Sequence, residues 1–406
     1  MEFLKLKISP KIKNNTLEYK SIFENNKLSS IPNVAKNSLR TLKAQKNLPS
    51  NSLDYIDYNI PIDPVEIMHF PQAMIGDCGG IFVDDKIIYE SLDGYNNQSV
   101  YAKNKYAYLK DLSLLNLHSK QDIKNYLKLQ YFKIKRFIIR DKRLQSQKPK
   151  ILFFEPWFGN MYHFIFESYP RLIIALDYFK EQNIKDFYII CPPIYSRYET
   201  YYKAYIQDIL DLEKIHKNQI IYLEYQNAKT CNLYMPTCPR LNAKYVLPAL
   251  DKLKDHFYDP TFIAPSSRIY ISRQKSNYRF LSNEEEIYQI LHDDYGFLRV
   301  YMEDLSLKEK INLMLQAEIV MSVDGTSLIN GCFMTKPNSK LIALRLYEMS
   351  ELQLFVPSLF QHIEYLPIVC EIAEKIGENI WTQSNLYLHK NTLIAKLNDY
   401  DVKPIK

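Results

Sequence analysis

The sequence predicts an α/β protein of two domains, the second with a parallel sheet flanked by helices. Three observations predict it. The chain has 406 residues, more than the roughly 250–300 at which one hydrophobic core stops growing. Its composition, 47% hydrophobic and 24% charged, is that of a globular protein and excludes a disordered or fibrous one. Strand, helix and strand alternate three times between Arg268 and Leu344, the signature of parallel strands joined by right-handed crossovers.

Residues 1–60 are rich in Asn, Lys and Ser and read as a basic arm, irregular or helical. Ile81–Val83, the Asp84-Asp85-Lys86 turn and Ile87–Tyr89 then read as a hairpin. Turn chemistry explains that acidic pair better than a metal site does. Ile151–Phe154 and Phe187–Cys191 are short apolar strands on either side of the helical stretch Met161–Lys180. The run from Asp259 to Ser267, with Pro260 and Pro265, is the best linker in the chain. It divides a first domain, 61–260, from a second, 261–375, and leaves a helical tail, 376–406. In the second domain, strands fall at Arg268–Ser272, Phe297–Tyr301, Ile319–Val323 and Lys340–Leu344. Ser282 with Glu285, and Ser306 with Glu309, have the spacing of capping boxes that open the intervening helices. Leu307, Ile311, Met314 and Leu315 give the second helix one apolar stripe.

Several function classes drop out. The 9 glycines form neither G-x-G-x-x-G nor G-x-x-x-x-G-K-[ST], so a dinucleotide fingerprint and a Walker loop are absent. Six cysteines without C-x-x-C spacing or paired histidines make zinc unexpected and fit a reduced, cytoplasmic protein. Neither a signal peptide nor a membrane span is expected. Residues 1–50 carry ten Lys/Arg against three acids, and residues 101–150 carry fourteen against three. These stretches read as solvated faces or as a surface drawn to an anionic membrane. Without an arginine-rich block interleaved with aromatics, nucleic acid is not an expected partner.

Chemistry concentrates in three places. After strand 268–272 come Arg273, Lys275 and Arg279, three cations in seven residues. After strand 319–323 come Asp324, Gly325, Thr326 and Ser327, then a helix start with Asn330. Ligands of parallel sheets bind beyond the carboxyl ends of the strands, so these loops make a candidate diphosphate site. The plainer reading makes Thr326 or Ser327 an N-cap and the arginines surface ions. In the first domain, Asn160, Tyr162, His163, Glu167 and Arg171 cluster, with His163, Glu167 and Arg171 spaced i, i+4, i+8. An imidazole backed by a carboxylate is a general base, whereas a histidine on a Phe-rich helix is also a common core residue. Pro170 is expected to kink this helix or to cap a second one.

Several runs resemble glycosyltransferase family 61, in the family's order. They are Ile271-Ser272-Arg273, Arg279 to Glu285, Gly296-Phe297, Leu305-Ser306-Leu307, Gly325, Asn330 and Phe333-Met334, with Asn160, His163 and Pro170-Arg171 upstream. The departure is Asp324-Gly325-Thr326, where the family pattern has His-Gly-Ala. The resemblance implies a GT-B fold, two Rossmann-like domains facing a cleft. The first is then the acceptor side, with Asn160, Tyr162 and Arg171, and the second binds the nucleotide sugar through Arg273, Arg279, Asn283, Gly325, Thr326, Ser327 and Asn330.

It further implies an inverting, metal-independent transferase that needs no cofactor beyond a nucleotide-sugar co-substrate, UDP-linked for preference. The acceptor is a glycan or lipid-linked glycan of bacterial capsule or lipopolysaccharide synthesis. The setting is the cytoplasm, with peripheral contact at the inner membrane. His163, supported by Glu167, is the expected base, and Asp324 is the rival. A catalytically silent sugar-nucleotide-binding or scaffold protein is the alternative function.

Overall fold

A computed structural model describes residues 18–21, 27–28, 60–61, 65–76, 79–83, 86–87, 91, 141–154, 160–192, 199–223, 228–239, 242–276, 279–346, 360, 362–376 and 384–405. Most of the basic arm, Asp84-Asp85 and residues 101–140 lie outside these. The chain divides into two compact units. Unit 1 comprises Met1–Asn26 with Asp63–Ala249, and unit 2 comprises Lys27–Ile62 with Leu250–Lys406.

Unit 1 is built on a mixed sheet. Its strands are β1 (Glu18–Ser21), β4 (Glu66–Ile75), β5 (Ile81–Val83), β6 (Lys86–Ile87), β7 (Lys150–Leu152), β8 (Tyr188–Cys191), β9 (Ile220–Tyr222) and β10 (Ala228–Pro236), while β2 (Lys27–Leu28) and β3 (Ile60–Pro61) pair with each other in unit 2. The order is β6-β5-β4-β10-β7-β8-β9, with β1 also on β4. From β10 to β9 the strands run parallel. From β10 to β6 they are antiparallel, so only half of this sheet has the parallel form that the resemblance implies. The parallel strands are apolar on both faces, as strands covered on both sides must be; Ile151, Leu152, Ile189 and Ile190 are fully buried. Lys150 is buried too. Its ammonium donates to the carbonyls of Ser146, Lys148 and Cys231, at 2.7–2.8 Å, and so pins the start of β7 to β10.

The helical stretch of unit 1 is continuous, and Pro170 stands in the first turn of its α-helical part, the capping place that the sequence offered. A turn at Met161–His163 passes into a π-turn, Phe164–Ser168, and then into α1 (Tyr169–Glu181). The Tyr169 N–H reaches back to the Phe164 carbonyl. Proline lacks an N–H and clashes with the carbonyl four residues back; the wider π-turn supplies the slack that a plain α-helix lacks. Aromatic packing fixes α1 on the sheet, with Phe179 edge-on to both Phe187 and Tyr234.

Unit 2 holds a five-stranded sheet made of β11 (Arg268–Ile271), β12 (Leu298–Val300), β13 (Ile319–Val323), β14 (Ser339–Arg345) and β15 (Ile363–Val369). The order is β12-β11-β13-β14-β15, and every neighbouring pair is parallel. Helices α4 (Glu284–Asp293) and α5 (Leu307–Gln316) fall where the sequence places them. (α2 is Glu199–Leu212 and α3 is Ala243–Phe257.) The Ser306–Glu309 capping box forms, side chain to backbone in both directions. The Ser282–Glu285 box does not. Ser282 donates its N–H and hydroxyl to Leu386 O, Glu285 pairs with Arg299, and Asn283 is the N-cap.

Strand β15 escapes a reading of the sequence because Pro367 interrupts it. The proline is tolerated because β15 pairs only with β14, at the sheet edge, and its carbonyl accepts from the Tyr400 hydroxyl. Beyond it, β16 (Glu371–Lys375) pairs with β17 (Ser384–Tyr387), and α6 (Lys390–Asp399) follows. Leu386, Leu393, Leu397 and Val402 share one core with Met321, Val323, Ile342 and Leu344. The segment read as a helical tail is thus a strand and a helix built into unit 2. Among the described residues, no helix is long and apolar enough to cross a membrane.

Candidate active site

In unit 2 the chain moves outward from β11 to β12 on one side and from β13 to β14 and β15 on the other. The point where the order reverses lies between β11 and β13, and a crevice there, at the carboxyl ends, is where open parallel sheets bind ligands. The loop after β11 carries Arg273 and Arg279, and the loop after β13 carries Asp324 to Ser327.

Side chains from both loops meet over Gly325. A Cβ built on that glycine lies 3.0 Å from Arg273 Nη1 and 3.1 Å from Arg279 Nη2. Its φ of 147° is also one that side-chain-bearing residues rarely adopt. Both guanidinium groups therefore rest on bare backbone. Arg273 donates through Nε to Arg279 O at 3.0 Å and through Nη1 to Ser327 Oγ at 3.2 Å. Arg279 has φ 58°, a left-handed conformation costing an L-residue about 1–2 kcal/mol; it turns the loop back so that carbonyl and guanidinium both face Arg273.

Glu284 positions the loop from below. Its buried carboxylate accepts from Ser272 Oγ at 2.6 Å and from the Tyr270 hydroxyl at 3.0 Å. Burial raises its pKa, opposed by the bonds from Ser272 and Tyr270. Gln274 and Ser276 close the turn through Leu281 O and Arg273 O.

Asp324 is 1% exposed. Burial raises its pKa, and Arg345, Arg279, the Gly325 N–H and Arg273 all act in the opposite direction. Three guanidinium groups thus surround one carboxylate, leaving an excess of positive charge at the carboxyl ends of β11, β13 and β14. The Gly325 amide is bonded to Asp324. Ser327 accepts from Arg273, and Asn330 donates to Ser327 O at 2.8 Å. The Asn330 Oδ1 is buried without a hydrogen-bond partner among the described residues. Thr326 is half-buried in the same turn. Asn283 stands apart, its amide joined to Glu286 and to both polar groups of the Leu388 backbone; it clamps α4 to the end of β17.

Sequence reasoning passed over Arg345 and Glu284. A cation ending the apolar run 340–344 was a legible signal for Arg345. Glu284 stood within the run Arg279 to Glu285 that carries the resemblance, but one of three consecutive glutamates gave no sign of its role.

In unit 1, Asn160 caps the helical run by accepting from the Tyr162 N–H at 2.9 Å. His163 Nδ1 bonds Glu167 Oε2 at 2.6 Å; the histidine side chain is 19% exposed and the glutamate fully buried. The carboxylate beside it favours the tautomer with the ring proton on Nδ1. Tyr162 stands edge-on to His163 and stacks on Phe166, holding the imidazole in place. Arg171 is fully buried, with Nε donating to Pro236 O at 2.8 Å. Among the described residues, no group of three or more His, Cys, Asp or Glu is arranged to hold a metal ion.

No curated protein matches the chain. The family model described as Glycosyltransferase 61 matches residues 161–342, a stretch that includes His163, Glu167, Arg171, Arg273, Arg279 and Asp324. Residues 161–342 are thus similar to glycosyltransferase family 61, and the match supports assigning this part of the chain to that family.

Proposed function

We propose that the protein is an inverting glycosyltransferase that moves a sugar from a nucleotide-sugar donor, UDP-linked for preference, to a glycan or lipid-linked glycan. One observation carries this reading: Arg273 and Arg279 lie together over Gly325 at the reversal point of a parallel sheet, with positive charge in excess of Asp324. Fixed guanidinium groups suit a diphosphate, whose oxygens they bind with charge-assisted, bidentate bonds. A GT-B architecture is supported by unit 2's sheet and by the parallel half of unit 1's sheet. Synthesis of a bacterial surface glycan, in the cytoplasm and against the inner membrane, fits the basic composition of residues 1–50 and 101–150.

The chemistry is a single displacement. His163 Nε2 takes the proton from an acceptor hydroxyl, and Glu167 stabilises the imidazolium that forms. The acceptor oxygen bonds to the sugar C1 as the C1–O bond to the diphosphate breaks, inverting the anomeric centre. Arg273 and Arg279 stabilise charge on the departing nucleoside diphosphate. Asp324 serves as counter-charge: buried among guanidinium groups, it holds them in place.

Calorimetric titration with UDP tests the donor site. Arg273→Ala is expected to weaken UDP binding by about 1.5–3 kcal/mol, the range for a hydrogen bond to a charged group. Unchanged affinity in both Arg273→Ala and Arg279→Ala would remove the diphosphate from this loop. Incubation with a panel of nucleotide sugars separates the enzyme from a silent sugar-nucleotide-binding protein, which binds a donor and releases no sugar.

A further inference from the structure

We propose that Arg171 and Ser168 bind an anionic group, a carboxylate or a phosphate, carried by the acceptor. This rests on the reading of unit 1 as the acceptor half. Arg171 is among the largest fully buried side chains of the protein. Its Nε is used by Pro236 O, but among the described residues neither Nη1 nor Nη2 has a hydrogen-bond partner. The Ser168 hydroxyl, also fully buried, has none either. Positions three apart on a helical run share a face, so three unspent donors collect on one side of this segment.

A buried guanidinium stays charged, because arginine does not deprotonate in proteins. Burying that charge without compensation costs several kcal/mol. Lys150 shows what compensation looks like in the same unit: equally buried, it donates to three carbonyls. Arg171 has one. Its Nη1 and Nη2 point as a fork whose spacing matches the two oxygens of a carboxylate or phosphate. A neutral hydroxyl would satisfy one nitrogen and leave the charge uncompensated.

The location supports a ligand. Pro236 is the last residue of β10, which runs parallel to β7. Arg171 therefore lies at the carboxyl ends of the parallel strands, the side on which such sheets bind ligands. Asn160 and His163 follow β7 at that same side. The residue before Ser168 is Glu167, the partner of the proposed base. An anion gripped by Arg171 would fix how the acceptor is turned, and so which of its hydroxyls meets His163.

The test compares glucuronic acid, glucose 6-phosphate and glucose by calorimetric titration of the full-length protein. Wild type is expected to bind at least one of the charged sugars about tenfold more tightly than glucose, since one charge-assisted bond is worth about 1.5–3 kcal/mol. Which charged sugar it prefers identifies carboxylate or phosphate. Arg171→Lys, which keeps the charge and loses the fork, is expected to abolish that preference, and Arg273→Ala to leave it intact.

Equal binding of all three sugars overturns the proposal. So does a preference that survives Arg171→Lys, or one that Arg273→Ala removes, which would place the anion in unit 2. Should Arg171→Lys fail to show a cooperative unfolding transition, Ser168→Ala replaces it: a several-fold weaker charged-sugar affinity supports the site, and an unchanged affinity overturns it. Failure of the donor reading shows separately, as loss of UDP binding by wild type.

Discussion

Substituting Gly325 with alanine perturbs the arginine pair without removing a charge. The new Cβ meets Arg273 Nη1 at 3.0 Å, Arg279 Nη2 at 3.1 Å and Arg279 Cζ at 3.3 Å. All three are tighter than ordinary van der Waals contact, so both guanidinium groups must retreat by a few tenths of an ångström. They are ends of flexible side chains and yield cheaply. The backbone does not: holding alanine at φ 147° costs about 1–3 kcal/mol of stability. Losing one charge-assisted bond to a phosphate oxygen costs about 1.5–3 kcal/mol, which is about 10- to 100-fold in the dissociation constant of UDP. Calorimetric titration reads the second quantity, and chemical denaturation the first. Gly331→Ala is the control. Its Cβ meets Leu341 Cδ1 at 2.6 Å, and its three nearest atoms all belong to Leu341, an overpacking expected to cost about 1–3 kcal/mol. Wild-type UDP affinity in Gly325→Ala, or an equal loss in Gly331→Ala, would refute the placement of the diphosphate over Gly325.

Lys310 in α5 is buried, and burial pushes its pKa down to about 8 from 10.5. Between those values the unfolded chain binds more protons than the native one, so stability should rise as pH goes from about 8 to 10.5; denaturant midpoints of wild type and Lys310→Met should show that rise only in wild type. Transfer should survive EDTA, because the arginines supply the charge that a metal ion otherwise would; loss on chelation with recovery on adding Mn²⁺ or Mg²⁺ would reverse this. Removing the formed cap with Ser306→Ala should cost about 1 kcal/mol, whereas Ser282→Ala should lose only its bond to Leu386 O; equal losses through a helix-capping effect at both would contradict the difference seen between the two sites.

The parallel core of unit 2 was legible because its strands are short apolar runs separated by capped helices, as at Ile319–Val323 and Ser306–Glu309. Legibility ended where local pattern and tertiary context disagree. Ser282 has capping-box spacing, yet β17, about a hundred residues away, claims its hydroxyl. Pro367 argues against a strand until the strand is known to be an edge. The antiparallel half of unit 1 depends on pairing β4 with β10, a contact between distant segments that no local periodicity encodes. At the candidate site, His163 with Glu167 could be read from spacing alone, since one turn separates them even through a π-turn. Gly325 could be singled out by rarity, but not the convergence of two arginines upon it. Asn283 was assigned to the donor by motif and instead clamps the end of β17. Arg345 and Glu284 act through burial, which a sequence does not display.

The measurement that tests the central claim most directly is kcat for sugar transfer in His163→Ala and Asp324→Asn, at saturating donor. A positioned general base contributes roughly 10²–10⁴-fold, so His163→Ala should lower kcat by that factor while UDP affinity stays at the wild-type value. Glu167→Gln should cost less, because it orients the imidazole and does not accept the proton. Asp324→Asn should act chiefly on donor affinity, by releasing the arginines it holds. The contrary result is a severe loss of kcat in Asp324→Asn with His163→Ala nearly as active as wild type, which would move the base from unit 1 to the loop after β13.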